Sequence, residues 1–387
     1  MSHIPYGRQD ISEDDIAAVI QTLRSDWLTQ GPAIAEFENA LAQYTGARYA
    51  VAVSNATAAL HIGCLAFGIG PGDLVWTASN SFVASANCAL YCGAEVDFVD
   101  IDPRSYNLSV EALEEKLVAA KRAGKLPKLV IPVHFAGQSC DMERISELAK
   151  RYGFGLMEDA SHAVGGSYGG RKVGAGVFSD LTVFSFHPVK IFTTAEGGML
   201  LTNDERLYQR LLRLRSHGIT RDPASMRGPS QGDWYYQQIE LGFNYRLTDI
   251  QATLGISQAK RLDEFVARRR ALAVRYDRAL ASLPLTLPWQ DPEAVSAFHL
   301  YVIQVEESAG KGRKEVFDFL RSKGVGVNVH YIPIHLQPFY ADKGFRAGQC
   351  PVAEAYYERA ISIPMYSSLT EKDQDRVIAL LKEILPS

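Results

Sequence analysis

The sequence predicts an α/β fold with a mostly parallel central sheet flanked by helices, followed by a smaller α+β unit. Two observations carry that prediction. From Tyr49 onward, short β-like runs alternate with helical stretches at the spacing of strand–helix–strand units. At 387 residues the chain also exceeds what one small core organises, so two domains are expected, each long enough to bury its own interior.

Taken in order, Ser12 can cap a first helix, and the acids Glu13, Asp14 and Asp15 suit the positive end of its dipole. Leu28-Thr-Gln-Gly-Pro32 ends it, and a second amphipathic helix runs over 33–45. Strands are expected at 49–54, 74–77, 95–99, 128–133, 155–158, 181–186 and 199–202. The helices between them are expected at 56–67, 83–92, 109–123 and 142–152, with one more at 204–217 after the last strand. Gly68-Ile-Gly-Pro-Gly72 follows a helix and precedes a strand, so it reads as a turn and not as a phosphate loop. The stretch 218–242, with Trp234-Tyr-Tyr236 among prolines and glycines, reads as a long surface excursion. A long helical pattern over 246–283 bridges to strand 300–305, helix 314–323, strand 325–329, a short helix at 352–360 and a last helix at 371–384. The expected domains are 1–255 and 256–387, divided inside the long helical pattern.

Composition excludes several function classes. The charged fraction of 22% and hydrophobic fraction of 47% are those of a globular chain, and a net charge of −4 gives no electrostatic case for nucleic acid or an anionic membrane. No apolar run approaches the length of a membrane span, and Met-Ser-His-Ile-Pro-Tyr lacks the basic and apolar regions of a signal peptide. A cytoplasmic enzyme is expected. The five cysteines are scattered and form no CxxC pair with a histidine partner, so buried reduced thiols are expected and no metal site.

The chemistry concentrates at the carboxyl ends of the expected strands, where such sheets bind ligands. The run 181–186 ends in His187-Pro188, and proline stops a strand because it has no N–H for the ladder. Lys190 follows, in a segment otherwise free of charge between Asp180 and Glu196. A lysine losing hydration there can supply a neutral, nucleophilic amine, whereas an ordinary loop lysine would point to solvent. Ser54-Asn-Ala-Thr57 joins a strand to a helix; its first free amides, at Ala56 and Thr57, with the Thr57 hydroxyl, suit a phosphate, although the same residues also make an ordinary helix cap. Phe82 can stack on a planar ring or anchor the helix behind it. Glu158-Asp-Ala-Ser-His162 closes an apolar strand. Metal binding by Glu158, Asp159 and His162 is a rival reading, but adjacent strand residues face opposite sides, so only one acid can serve a given site. Asp159 can hold a pyridinium N–H with His162 near the same ring, or can pair with an arginine as a structural acid. Ser185, at the end of the next strand, can donate to a phosphate. In the C-terminal part, 328–331 and 333–337 combine rings with hydrogen-bonding groups, either as a substrate clamp or as a loop with core aromatics.

Ser54-Asn-Ala-Thr-Ala-Ala59, Asn80-Ser-Phe-Val-Ala84, Glu158-Asp-Ala-Ser-His162, Ser185-Phe-His-Pro-Val-Lys190 and Glu196-Gly-Gly198 occur in this order. Together they resemble the DegT/StrS-type nucleotide-sugar aminotransferases, fold-type I enzymes that use pyridoxal 5′-phosphate (PLP). The likeness extends from Tyr6-Gly-Arg8 to Ser362-Ile-Pro-Met365, and Ser185–Lys190 with Thr193-Thr194 most resembles the pseudaminic-acid pathway members. Many relatives carry Gln where His162 stands. The resemblance implies that Lys190 carries the coenzyme as a Schiff base and shuttles the proton, and that Asp159 holds the pyridine nitrogen. It further implies that Phe82 stacks on the ring, His162 approaches the ring oxygen, and Ala56, Thr57 and Ser185 bind the phosphate. Asn244 would serve the neighbouring subunit's phosphate, making a homodimer with shared sites. Tyr6, His187, Tyr331 and His335 would contact substrate. The implied reaction moves the amine of L-glutamate, leaving 2-oxoglutarate, to C4 of UDP-2-acetamido-2,6-dideoxy-β-L-arabino-hexos-4-ulose. Related dehydratases replace the lysine with histidine, so Lys190 argues against dehydration, and an intact Lys190, Asp159 and Ser185 argue against a non-catalytic sugar-binding regulator.

Overall fold

The computed structural model describes residues 3–385. Its centre is a seven-stranded sheet of β1 (Tyr49–Val53), β2 (Leu74–Ala78), β3 (Glu95–Val99), β4 (Leu129–Ile131), β5 (Gly155–Asp159), β6 (Leu181–Ser185) and β7 (Gly198–Thr202), in the spatial order β1-β7-β6-β5-β4-β2-β3. β7 runs antiparallel to both β1 and β6; every other pairing is parallel. β6 is buried along its whole length, as a central strand between two helix layers must be. This geometry brings the carboxyl ends of β1, β2, β5 and β6 and the amino end of β7 to one edge of the sheet.

The helix starts follow capping chemistry. Ser12 accepts the Asp15 N–H and Asp15 accepts the Ser12 N–H at 2.8 Å, a reciprocal capping box at the head of Glu13–Leu23. Buried Asp15 also takes Gln258 at 2.6 Å and Arg261 at 2.7 Å, fastening that helix to the end of Asp249–Ala259. Thr248 caps Asp249–Ala259, while Asp249 reaches back to the Gly31 and Ala33 amides at the start of Pro32–Thr45.

The expected single helix over 246–283 is two helices, Asp249–Ala259 and Leu262–Leu280. The break falls at Arg261, whose φ of −101° and ψ of 6° are not helical and whose guanidinium is held by Asp10 and Asp15. Tertiary ion pairing there overrides a continuous helical pattern. In Leu262–Leu280, Leu262, Phe265 and Val266 enter the core beneath β6 and β7, whereas Leu272, Ala273, Tyr276 and Leu280 enter the core of the smaller unit. The core therefore changes hands near Arg269, inside the long helical pattern.

The smaller unit has an antiparallel sheet of β8 (Leu285–Thr286), β9 (Tyr301–Val305) and β10 (Ala360–Ile363), with β9 in the middle, packed by Arg313–Ser322 and Glu371–Ile384. Two expectations change here. Residues 325–329 form no regular strand and make only single bridges, Val325 to Ile4 and Asn328 to Ser362. The second true partner of β9 is β10, which directly follows the helix Pro351–Arg359. The 218–242 excursion is present, closed by one short pairing of Ile219–Thr220 with Gln237–Gln238, and Trp234 is 73% exposed. No helix among the described residues is long and apolar enough to cross a membrane. The five cysteines are free; all are buried except Cys92, which is half-buried.

Candidate active site

A cavity of about 820 Å³ opens at the shared strand edge and is roofed by the smaller unit. Lys190 sits on its floor, on a turn closed by its own N–H to the His187 carbonyl at 2.9 Å. The turn is anchored on both sides: Phe186 and Phe192 stack with ring centroids 4.8 Å apart, and Ile191 is 3% exposed. Burial pushes the Lys190 amine down to about 8, and the charge of Asp159 opposes part of that fall. An amine held this low is partly neutral near neutral pH.

Asp159 ends β5 facing the cavity. Its Oδ2 accepts the Ser85 hydroxyl at 2.6 Å, Ser85 lies 2.8 Å from Ser81, and its Oδ1 accepts the Ser161 N–H at 3.1 Å. Glu158 faces the other way and is fully engaged by His134 at 2.6 Å, Thr182 at 3.1 Å and Ser179. The Cys140 N–H donates to His134 Nδ1 at 3.1 Å, so that nitrogen bears no proton and the ring donates to Glu158 through Nε2. Strand alternation thus separates the two acids as expected: one for the site, one for the interior.

His162 also reaches the cavity. The Ala136 N–H donates to its Nδ1 at 3.3 Å, which leaves the proton on Nε2, 3.1 Å from the Tyr331 hydroxyl. Burial first, then the nearby charges of Lys190 and His330, hold His162 well below the usual imidazole range. The ring is a neutral hydrogen-bond donor.

The opposite end of the cavity is an anion cradle. Asn55 caps Ala56–Ala66 by accepting the Ala58 N–H at 2.8 Å, and its carbonyl takes the Ala59 N–H. The Ala56 and Thr57 amides have no carbonyl one turn back and stand at the positive end of the helix. Ser185, 6% exposed, lines the same end. Gly198 explains why the helix start can come so close. A Cβ there would lie 2.5 Å from the Asn55 carbonyl carbon and 2.7 Å from the Ala56 nitrogen.

Tyr6 and Tyr331 line the roof, and Phe82 stands at the mouth, 59% exposed, with its ring 6.4 Å from that of Tyr331. His187 lies on the rim and is exposed. Two expected site residues are not brought to this cavity. His335 is fully buried between Ser79 at 2.6 Å and Glu354 at 2.8 Å, so it clips the smaller unit to the end of β2 and cannot touch substrate. Asn244 is exposed and lies outside the cavity of its own chain, bridged through its backbone to Ser216.

Several lining residues escaped the sequence reading, notably His299, His61 and Tyr245, whereas His330 lies in the 328–331 segment already singled out. His299 packs 4.3 Å from the His162 ring, and His330 is pushed down to about 3 by burial and by the Lys190 charge. His299 carries no local signal, and neither do Ser81, which precedes the helix Ala84–Tyr91, and Ser85 in its first turn.

A model of the DegT/DnrJ/EryC1/StrS aminotransferase family matches residues 9–382. The chain belongs to this family. It is 39% identical over 386 residues to the spore coat polysaccharide biosynthesis protein SpsC of Bacillus subtilis (strain 168), covering 99% of this chain and 97% of that relative. Among solved structures it is similar to Helicobacter pylori PseC, an aminotransferase of pseudaminic acid biosynthesis, with a TM-score of 0.90, 30% identity and 99% of each chain covered. The PLP form of the sugar aminotransferase Spr1654 from Streptococcus pneumoniae superimposes with a TM-score of 0.89 at 30% identity, over 99% of this chain and 98% of that one. The protein is a fold-type I, PLP-dependent sugar aminotransferase. The cavity fits the coenzyme on its own evidence: a buried amine of lowered pKa, a carboxylate facing it, and free helix amides at the far end.

Proposed function

We propose that the enzyme transfers the amino group of L-glutamate to C4 of UDP-2-acetamido-2,6-dideoxy-β-L-arabino-hexos-4-ulose, on the route to pseudaminic acid. The likeness to PseC over the whole chain is the observation that carries this choice of sugar. Bound PLP supplies a carbonyl that an amine can occupy and a ring that accepts electrons when a proton leaves the neighbouring carbon. Ala56, Thr57 and Ser185 hold its phosphate. Asp159, fixed by Ser85 and Ser161, keeps the pyridine nitrogen protonated, and Phe82 covers the ring face. His162 donates through Nε2 toward the ring oxygen. With the coenzyme bound, Lys190 would hold it through its amine and, when free, would take and return a proton at the substrate carbon. 2-Oxoglutarate would leave the cavity, its amino group retained there, before the 4-keto sugar enters, so the kinetics would be ping-pong. Tyr6, His187 and Tyr331 face the sugar.

A homodimer in which Asn244 completes the partner's phosphate site, and a cytoplasmic location, belong to the same reading. The exposed position of Asn244 outside its own cavity supports the shared site. The test is turnover of a panel of UDP-, GDP- and dTDP-4-keto sugars with glutamate. One 2-oxoglutarate should form per 4-amino sugar, with the UDP substrate preferred. Preference for another nucleotide would replace the sugar assignment, and a deoxygenated product would make the protein a dehydratase.

A further inference from the structure

Helix Leu262–Leu280 buries a regular stripe of Leu262, Phe265, Val266, Arg269, Leu272, Ala273, Tyr276 and Leu280, and one member of that stripe is an arginine. Arg269 is 0% exposed, and no carboxylate pairs with it among the described residues. Burying a guanidinium without a counter-ion is costly, and an apolar residue would satisfy the stripe. What Arg269 does instead is donate to main-chain carbonyls. Nη1 reaches Phe298 at 3.2 Å, His299 at 3.2 Å and Met365 at 3.0 Å, and Nη2 reaches Lys190 at 3.5 Å. Each of these carbonyls belongs to a segment that builds the cavity. The Lys190 turn carries the amine, and His299 lines the wall against His162. The Met365 N–H in turn donates to the Tyr6 carbonyl at 3.0 Å. The place is also where the core passes from one unit to the other.

We propose that Arg269 is a positioning residue for the amino-transfer reaction, a buried fork that fixes the Lys190 turn relative to the His299 and Tyr6 segments of the roof. The inference rests on the PLP reading of the cavity. A breach of the apolar pattern with no local compensation is the mark of a residue kept for the site and not for the core. Lysine replaces only part of it: one ammonium can serve the three carbonyls now on Nη1, but it cannot also span to the Lys190 carbonyl that Nη2 holds. Reacting groups displaced by about 1 Å lose about two orders of magnitude in rate, so even a small relaxation of the Lys190 turn is measurable.

The experiment compares wild type, Arg269→Lys, Arg269→Met and, as a control on the same helix, Arg275→Lys, whose guanidinium bonds only Gln374 and Asp375. Three quantities are read: kcat and KM for each half-reaction, thermal midpoint, and the rate at which PLP plus borohydride labels Lys190 in the coenzyme-free protein, by mass spectrometry. Arg269→Lys should lower kcat at least about tenfold with KM for the amino donor nearly unchanged, and slow Lys190 labelling in step. Arg275→Lys should match wild type. Unchanged kcat and labelling in folded Arg269→Lys would overturn the proposal, as would a lowered thermal midpoint with normal labelling, which marks a purely structural role. Should Arg269→Met not fold, Arg269→Lys still decides. If wild-type Lys190 is not labelled, the PLP reading itself fails, a result distinct from either of these.

Discussion

Lys190 and Asp159 make opposite demands on one proton, and separating them gives a prediction with two signs. Burial places the Lys190 amine at about 8, and Asp159 is the only neighbour that favours its charged form. At pH 7.5 a sizeable fraction of such an amine is neutral, against about one part in a thousand for a lysine at its ordinary value, a gain on the order of a hundredfold in nucleophile. Asp159→Asn removes the opposing charge, so the pKa of Lys190 falls further and the neutral fraction rises. In the coenzyme-free variant Lys190 should therefore react faster with trinitrobenzenesulfonate at pH 7 than in wild type. Turnover should nevertheless fall by orders of magnitude, because nothing then holds the pyridine nitrogen protonated. The assay is the pH profile of Lys190 labelling by mass spectrometry, with a wild-type midpoint near 8 and a lower one in the variant. The sign for stability follows from the same shift. The folded state releases the proton more readily than the unfolded chain, so this group penalises folding below about pH 8. The penalty disappears as pH rises toward the ordinary lysine range. A wild-type midpoint near 10.5, or no downward move on Asp159→Asn, would refute the reasoning.

His335→Ala should cost about 1–3 kcal/mol of stability by removing the buried link between Ser79 and Glu354, with KM for the nucleotide sugar unchanged in the folded enzyme; a raised KM at an unaltered melting temperature would return His335 to the substrate pocket. Gly198→Ala should push the Asn55–Ala56 backbone away, destabilise the fold by about 1–3 kcal/mol and weaken PLP binding about tenfold, read by absorbance titration. Lys190→Ala and Asn244→Ala should each be inactive or nearly so. After subunit exchange, an equal mixture should recover about a quarter of wild-type activity, since half the dimers then carry one intact shared site; no recovery would place Asn244 in the service of its own chain.

The parts of this architecture legible in the sequence were those written in local chemistry. The strands through β7 and the last helix lie within a few residues of their expected bounds, because apolar runs, caps at Ser12, Asn55 and Thr248, and the stop at Pro188 act over one turn or one strand. The misplaced parts depend on partners far away in sequence. The helix break at Arg261 needs Asp10 and Asp15, and residues 325–329 have only Ile4 and Ser362 to bridge to. β10 becomes a strand only because β9 lies beside it.

The same distinction sorts the cavity. Asp159 and Glu158 were separable in advance because period-two alternation is a property of the strand itself, and their surroundings then differ completely. His335 looked like a substrate contact because it shares a short segment with Tyr331, yet its ring is claimed by Ser79, whose backbone carbonyl also holds the Ile334 N–H. Arg269 was hidden for a third reason: within Arg268-Arg269-Arg270 it reads as one of three solvated cations, and only the packed helix reveals that it occupies an apolar position. A charge in the buried stripe, with every acceptor a carbonyl of a cavity-building segment, has no use in the core alone. The chain's two units are thus joined beside the active site: the residue at which the core changes hands also hydrogen-bonds the turn that carries the reactive amine.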